Sequence, residues 1–352
     1  MIINRYLLRE ITLPFAAVTG GLVFIFASYT ITRYLGDAAQ GRIAASAVLL
    51  LTGLRAIVSL ELLLPLGLYL GLIFGLGRLY RDSEMAVLQA SGLSRRQMLW
   101  PLLRLIVLTA ILVGLLSVFV RPWAYGQIYR LEASAQAQLD LAFVEAGRFQ
   151  GTPRGSLVVY SQQALTEVPA LHETFATWVN DGERVIVVAE RVTQQPRPGH
   201  PPSLVFHNGR AYRLDPQGSG DLMLRFQTLR WDREPSREVI GYKRKAASTL
   251  ALMDSADNDD ASERQWRLSR PLATIFLGLL GIAFARSSPR RGRAGNAFAA
   301  VVLFLLYYNL AELARTWVDN GSLPVIPGIY WVDALMGLLA CWLLFRPGMR
   351  HY

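Results

Sequence analysis

The sequence predicts an α-helical membrane protein: six transmembrane helices, with an all-β domain inserted between the third and the fourth. Three observations predict it. Of 352 residues, 52% are hydrophobic and only 18% charged, where a soluble domain carries about 25% charge; the mean hydropathy is +0.29. Six apolar runs, near 11–35, 47–76, 98–120, 268–285, 297–318 and 329–345, match the roughly 20 helical residues needed to cross a hydrocarbon core about 30 Å thick. One polar stretch, residues 121–266, separates the third run from the fourth.

Charge placement supports a membrane rather than a nucleic-acid reading. The net charge is +10, from 36 basic and 26 acidic residues. The polar stretch holds 17 basic against 18 acidic residues, so the excess sits at the edges of the apolar runs. That is the pattern of membrane topology. With the N-terminus inside, the inner segments collect Arg5, Arg9, Arg78, Arg81, Arg95, Arg96, Arg104, Arg286, Arg290, Arg291, Arg293, Arg346 and Arg350. The short outer loops hold only Arg33, Arg42 and Arg315. Both termini are therefore expected in the cytoplasm, and residues 121–266 outside.

The elements follow in order. Residues 1–10 read as an amphipathic helix at the interface, and no small-residue cleavage site follows a short apolar core, so the first run is not a cleaved signal. The second span is longer than the bilayer requires, and Pro65 is its expected kink. The inner loop, RLYRDSEMAVLQASGLSRR, predicts a short helix at about 83–92, with Ser83 as its cap, Glu84 in its first turn and Gly92 at its end. Such a partly apolar helix between two spans resembles the coupling helix by which a permease docks on a nucleotide-binding subunit, with Glu84, Met85, Val87, Leu88 and Gly92 as its residues. Its alternative is a helix lying on lipid, for which Glu84 is poorly suited.

Residues 127–146 read as helical. Beyond them, short alternating segments separated by turn signals predict a β-sandwich or roll. These are 156–160, 174–179, 184–189, 203–206, 210–214 and 221–226, with turns at 180–182, 196–202, 208–209 and 216–220. Val158, Tyr160, Phe175, Trp178, Val185, Val187, Phe206, Leu224 and Phe226 are its expected interior, either as ordinary core or as a trough for lipid chains. Residues 246–266 read as a flexible return linker, with a short helix at 250–253. The expected domains are 1–126, the N-terminal membrane half; 127–245, the β domain; 246–266, the linker; and 267–352, the C-terminal membrane half.

The chain carries no catalytic signature. It lacks a Walker A motif, a nucleophile elbow, metal-ligand spacing among its four histidines, and more than one cysteine, Cys341. No catalytic residue, metal or cofactor is expected; energy for active transport has to come from a partner. Ionisable groups within or beside the spans are functional candidates by default: Arg33, Arg55, Glu61, Glu312, Arg315 and Asp333. Glu312 and Arg315 are also spaced to pair with each other, and Arg33 to reach headgroups.

Four stretches then carry a resemblance over nearly the whole chain: MIINRYLLRE, LPLGLYLGLIFGLGRLYRDSEMAVLQASGLSRRQML, ERQWRLSRPLATIFLGLLGIAFARSSPRRGR and LLYYNLAELARTWVDNGSLP. Together they resemble the lipopolysaccharide export permeases of the LptF/LptG family, the opening being nearer the LptF branch. The resemblance implies an ABC-transporter permease subunit of the bacterial inner membrane, with a periplasmic β-jellyroll. It implies an LptG-like sister permease, an LptB-like cytoplasmic ATPase dimer that binds the ATP, and LptC-like and LptA-like proteins bridging to the outer membrane. It implies contact of Glu84 with the ATPase and of Arg33 with the anionic end of lipopolysaccharide. Phe304, Leu305, Tyr308, Glu312 and Arg315 are implied cavity or gate residues. Two other readings stay open on the residues alone. One is a mechanotransmission-type ABC permease, which usually has four spans with the large domain after the first; the other is a membrane enzyme acting on lipid headgroups.

Overall fold

The computed structural model describes residues 2–39, 43–136, 146–151, 157–165, 170–180, 183–197, 200–214, 220–232, 242–285 and 293–345. They form two units: a helical one of Met1–Thr32, Leu49–Ile128 and Tyr242–Tyr352, and a second of Arg33–Val48 and Tyr129–Gly241 that contains the β domain.

The chain begins with one unbroken helix, α1 (Ile2–Ala39). Residues 1–10 were expected as an interfacial helix; Met1 lies outside the described residues, and residues 2–10 are the ones observed. Instead they continue into the first span, because Leu7 and Ile11 are fully buried against Leu72, Leu76 and Leu79 of α2 (Val48–Arg81). Pro65 lies inside α2, as Pro14 lies inside α1. The two helices pack through Gly67, Gly71 and Gly75, spaced four apart on one face of α2. A Cβ at Gly71 would lie 2.7 Å from Phe15 Cα, and one at Gly75 2.6 Å from the Glu10 carbonyl. Small residues at this spacing let membrane helices approach backbone to backbone.

A seven-residue helix, α3 (Glu84–Ala90), follows two residues later. Gly92, at φ +91°, closes its C-terminal end, and Ser94 opens α4 (Arg95–Leu115) with a full capping box to Gln97. The helix runs on through a π turn at Leu116–Val120 into α5 (Arg121–Gln136). A π turn marks a local insertion and is frequent at functional sites. Here it turns Ser117 and Arg121 into the helical core, both buried. Of the expected helix at 127–146, residues 137–145 lie outside the described residues.

Residues 246–266 were expected as a flexible linker with a short helix at 250–253; that helix forms, and most of the rest is helical too. Helix α6 (Thr249–Met253) is capped by Ser248, and α7 (Asn258–Ala285) starts ten residues before the apolar run. Buried polar bonding holds them. Arg267 donates to the carbonyls of Arg244, Lys245 and Ala247 and to the Thr249 hydroxyl, and Thr249 donates to the Val118 carbonyl. Arg244 pairs with Asp259 and Asp319, both at 2.9 Å. Helices α8 (Arg293–Asp319) and α9 (Tyr330–Phe345) complete the unit. Among the described residues, five helices are long and apolar enough to cross a membrane. The sixth expected span is α9, an apolar helix of 16 residues.

The β domain is a six-stranded antiparallel sheet in simple order: β1 (Phe149–Gly151), β2 (Leu157–Leu165), β3 (Ala170–Asn180), β4 (Glu183–Arg197), β5 (His200–Leu214) and β6 (Leu222–Trp231). The Asn208-Gly209 turn expected from the sequence lies inside β5, which joins two expected strands into one. It is instead part of a crease. The pairing register steps over the row Gln162, Glu173, Glu190, Asn208 and Gln227, and both Glu173 and Asn208 sit at φ +49°. The sheet folds along this row, with Gly209 at the inside of the bend, where a Cβ would meet Phe226 Cζ at 2.6 Å and clash with the Val188 carbonyl. The ring contacts record the fold. Trp178 on β3 stacks on Trp231 of β6 at 4.4 Å, whereas strands three places apart are about 14 Å apart on a flat sheet. Folding one meander over itself makes a jellyroll-like sandwich with a single apolar interior.

Candidate functional site

Two regions of the helical unit bring charged side chains together. The first surrounds α3. Met85 is buried, packing into the cluster of Leu7, Ile11, Leu76, Leu79, Met98 and Leu102. Leu88 is partly buried against the same cluster, while Val87 is 66% exposed. The short helix thus has one anchored face and one outward face. Ser83 does not cap it: its φ is 59° and its side chain makes no cap bond. Glu84 is held instead from α1, where the Tyr6 hydroxyl donates to its Oε2 at 2.5 Å. Beside it, Arg78 at the end of α2 pairs with Glu10 of α1 at 3.0 Å and with Asp82 at 3.6 Å.

The second region is a buried ionic girdle across α2, α5, α7 and α8. Glu263 on α7 is fully buried. Its Oε1 accepts from Arg121 Nε at 3.0 Å and Arg267 Nε at 3.1 Å. Its Oε2 accepts from Arg315 Nη2 at 2.6 Å and Arg121 Nη2 at 3.4 Å. Arg121 also reaches Glu61 Oε2 at 2.7 Å. The other oxygen of Glu61 accepts from the Ser117 hydroxyl and the Trp266 indole N–H, both at 3.1 Å. Buried ions survive only when paired and fully hydrogen-bonded, and both carboxylates meet that condition. Arg270 lies 3.8 Å over the Trp266 ring and Arg315 5.0 Å from it, the cation–π geometry that guanidinium groups favour. Next to the girdle, the Tyr125 ring has Arg55, Arg121 and Lys245 within 5.5 Å of its centroid. Burial, reinforced by the charges of Arg315 and Arg121, pushes the Lys245 amine below the usual lysine range. Burial and the bond to Asp260 push the Tyr242 phenol up to about 12.

The expected site residues are placed as follows. Arg33 is exposed on α1. On α8, Leu305 is 51% exposed, Phe304 is buried, and Tyr308 donates to Glu312 at 3.3 Å. The expected Glu312–Arg315 pair is not made. Arg315 turns inward to Glu263, a fully buried partner that offers a shorter bond in a drier place. Glu61 belongs to the girdle, and Arg55 stacks at Tyr125. Asp333 on α9 accepts from the Tyr307 hydroxyl at 2.7 Å. In the β domain, Trp178, Val187 and Phe206 are buried in the core with Val159, Ala176, Val192 and Leu204, and Val185 and Phe226 pack against it. Val158, Tyr160 and Phe175 lie on the opposite face, because successive strand residues alternate and Val159 and Ala176 take the inner positions. There Phe149 packs on Tyr160 at 4.7 Å, with Phe175 edge-on. Leu224 is 53% exposed on β6.

Sequence reasoning missed Arg121, Glu263 and Arg267, because the first two fall in the polar stretch between the apolar runs and the third at its edge. A signal was present. Glu263, Trp266, Arg267 and Arg270 recur at the spacing of one helical face, which a linker has no reason to keep.

The comparisons agree with this architecture. A family model described as "Lipopolysaccharide export system permease LptF/LptG" matches residues 5–346. The LptF permease protein of Escherichia coli (strain K12) is 29% identical, covering 97% of this chain and 93% of that protein; that of Shigella flexneri matches equally. The LptG permease protein of Escherichia coli (strain K12) is 27% identical over 98% of both. With several apolar helices, an inserted antiparallel β domain and a family match spanning almost its full length, the chain belongs to the LptF/LptG family of lipopolysaccharide export permeases, membrane components of a transport system rather than enzymes.

Proposed function

We propose that this chain is one of two permease subunits of an ABC-type exporter that lifts lipopolysaccharide out of the inner membrane. Both termini face the cytoplasm and the β domain faces the periplasm. A cytoplasmic ATPase dimer docks on α3 of this chain and on its sister permease. LptC-like and LptA-like proteins carry the lipid on toward the outer membrane. The observation that carries the reading is α3: a seven-residue helix between two long apolar helices, anchored through Met85, with Val87 facing outward and Glu84 in its first turn.

The energetics favour a driven mechanism. Withdrawing acyl chains from a bilayer costs about 0.8 kcal/mol per CH₂, so several chains cannot leave unaided. The β sheet folds around one apolar interior, which in this reading opens to receive the chains. Arg33, exposed on α1, is suited to the anionic phosphates of the cargo. Leu305, Tyr308 and Glu312 on α8 present an apolar and hydrogen-bonding face to it, with Phe304 buried behind them against the Tyr308 ring. Arg315, tied to Glu263, acts in this reading by fixing α8 within the girdle rather than by gripping the lipid.

The test is mild-detergent purification of the tagged chain, with mass spectrometry of what accompanies it, for wild type, Glu84→Ala and Val87→Lys. Recovery of a sister permease, an ATPase and lipopolysaccharide, with the ATPase reduced in both variants, supports the reading. A chain that emerges alone, or with an ATPase indifferent to both substitutions, refutes it.

A further inference from the structure

We propose that Tyr6 is a positioning residue for the docking helix: its hydroxyl fixes the Glu84 carboxylate in the orientation in which the ATPase meets it. This rests on the reading of α3 as the docking element.

The contact joins residues far apart in sequence and on different helices, with Tyr6 Oη 2.5 Å from Glu84 Oε2. It stands where a local cap is missing. Ser83 is in the left-handed region and gives α3 no side-chain cap, so the first turn is set from outside. The surroundings make the Tyr6 end rigid. The next residue, Leu7, is buried in the same cluster as Met85, and Glu10, one turn on, is paired with Arg78. Beside this contact Glu10 and Arg78 are paired with each other, and Arg78 also reaches Asp82.

The chemistry suits positioning rather than blocking. A carboxylate has about four acceptor directions and a hydroxyl occupies one, so Glu84 keeps capacity for donors on a partner. A hydroxyl-to-carboxylate bond is charge-assisted and short, hence directional. Without it, Glu84 is a partly exposed side chain on an uncapped turn, free among rotamers, and docking has to order it. The beginning of α1 thereby becomes part of the coupling apparatus, although the sequence marks it only as an amphipathic stretch.

The experiment uses the whole complex in nanodiscs, with this chain, its sister permease and the ATPase. It measures ATPase affinity for the permease pair and lipopolysaccharide released per ATP hydrolysed. The variants are Tyr6→Phe, Glu84→Ala and both together. Phenylalanine keeps the ring, so melting of the complex should not move. Tyr6→Phe is expected to weaken ATPase affinity about 3- to 10-fold, the range for losing one ordinary, solvent-exposed hydrogen bond, and Glu84→Ala by more. The double variant should match Glu84→Ala alone, because the hydroxyl then has nothing to orient. An unchanged affinity for Tyr6→Phe beside a weakened Glu84→Ala overturns this proposal only. A Tyr6→Phe effect that persists undiminished in the Glu84→Ala background overturns it too, since that is the mark of a general structural role. If Glu84→Ala has no effect on affinity, the docking reading itself fails.

Discussion

Replacing Glu263 by glutamine removes one negative charge from the centre of four helices and leaves three arginines around it. The carboxylate is fully buried and accepts four hydrogen bonds, two on each oxygen, from Arg121, Arg267 and Arg315. Glutamine keeps one acceptor oxygen, but its amide nitrogen would face guanidinium donors, so one side of the site sets donor against donor. The girdle would retain Glu61 as its remaining carboxylate, and Glu61 is bonded to Arg121 alone among those arginines. Breaking a buried ion pair from one side costs about 3–5 kcal/mol, because the orphaned charge stays buried. On a helical unit of this size that corresponds to a fall in melting temperature on the order of 10 °C. Thermal unfolding of the detergent-solubilised protein, followed by fluorescence, reads it directly. Combining Glu263→Gln with Arg315→Met should recover part of the loss, since replacing an ion pair by apolar groups is often neutral. An unchanged melting temperature for Glu263→Gln, or a double variant worse than the single one by the full cost of a second lesion, would refute the reasoning.

Three further outcomes follow from the structure. Gly71→Val drives a side chain into the α1 backbone at Phe15 and should separate α1 from α2, measurable as lost cross-linking between cysteines placed on the two helices; retained cross-linking would show that the close approach is not needed. Trp178→Ala should destabilise the β domain by about 3–5 kcal/mol through lost contact with Phe206 and Trp231, seen as faster limited proteolysis within 170–231 of the full chain. Lys245 should acylate with a pH midpoint below that of a free lysine side chain, by peptide mass spectrometry. Its folded value is depressed by burial and by Arg315 and Arg121, so the unfolded chain binds more protons and stability rises as pH climbs through the lysine range; a midpoint equal to that of a free lysine would contradict the placement of Lys245.

The α3 helix shows how far local signals reach. Its place and its end at Gly92 follow from capping chemistry and a left-handed glycine, both legible in RLYRDSEMAVLQASGLSRR. Its Ser83 cap does not form, since Ser83 sits at φ 59° and makes no cap bond, and nothing local encodes the bond by which Tyr6 of α1 holds Glu84. The β domain divides the same way. Alternation and turns mark the strands, but Asn208-Gly209 reads as a turn when it is a crease, since the same positive-φ chemistry serves both and only strand pairing distinguishes them.

Hydropathy by itself determined the order of the apolar helices and the insertion between the third and the fourth, because crossing a bilayer imposes length and composition on each run separately. The ionic girdle was decided by tertiary structure alone. Glu61, Arg121, Glu263 and Arg315 are scattered over more than 250 residues of sequence, and two of the four lie where a polar stretch conceals them. A buried charge is tolerable only beside its counterion, and which charges become neighbours is settled by how α2, α5, α7 and α8 pack.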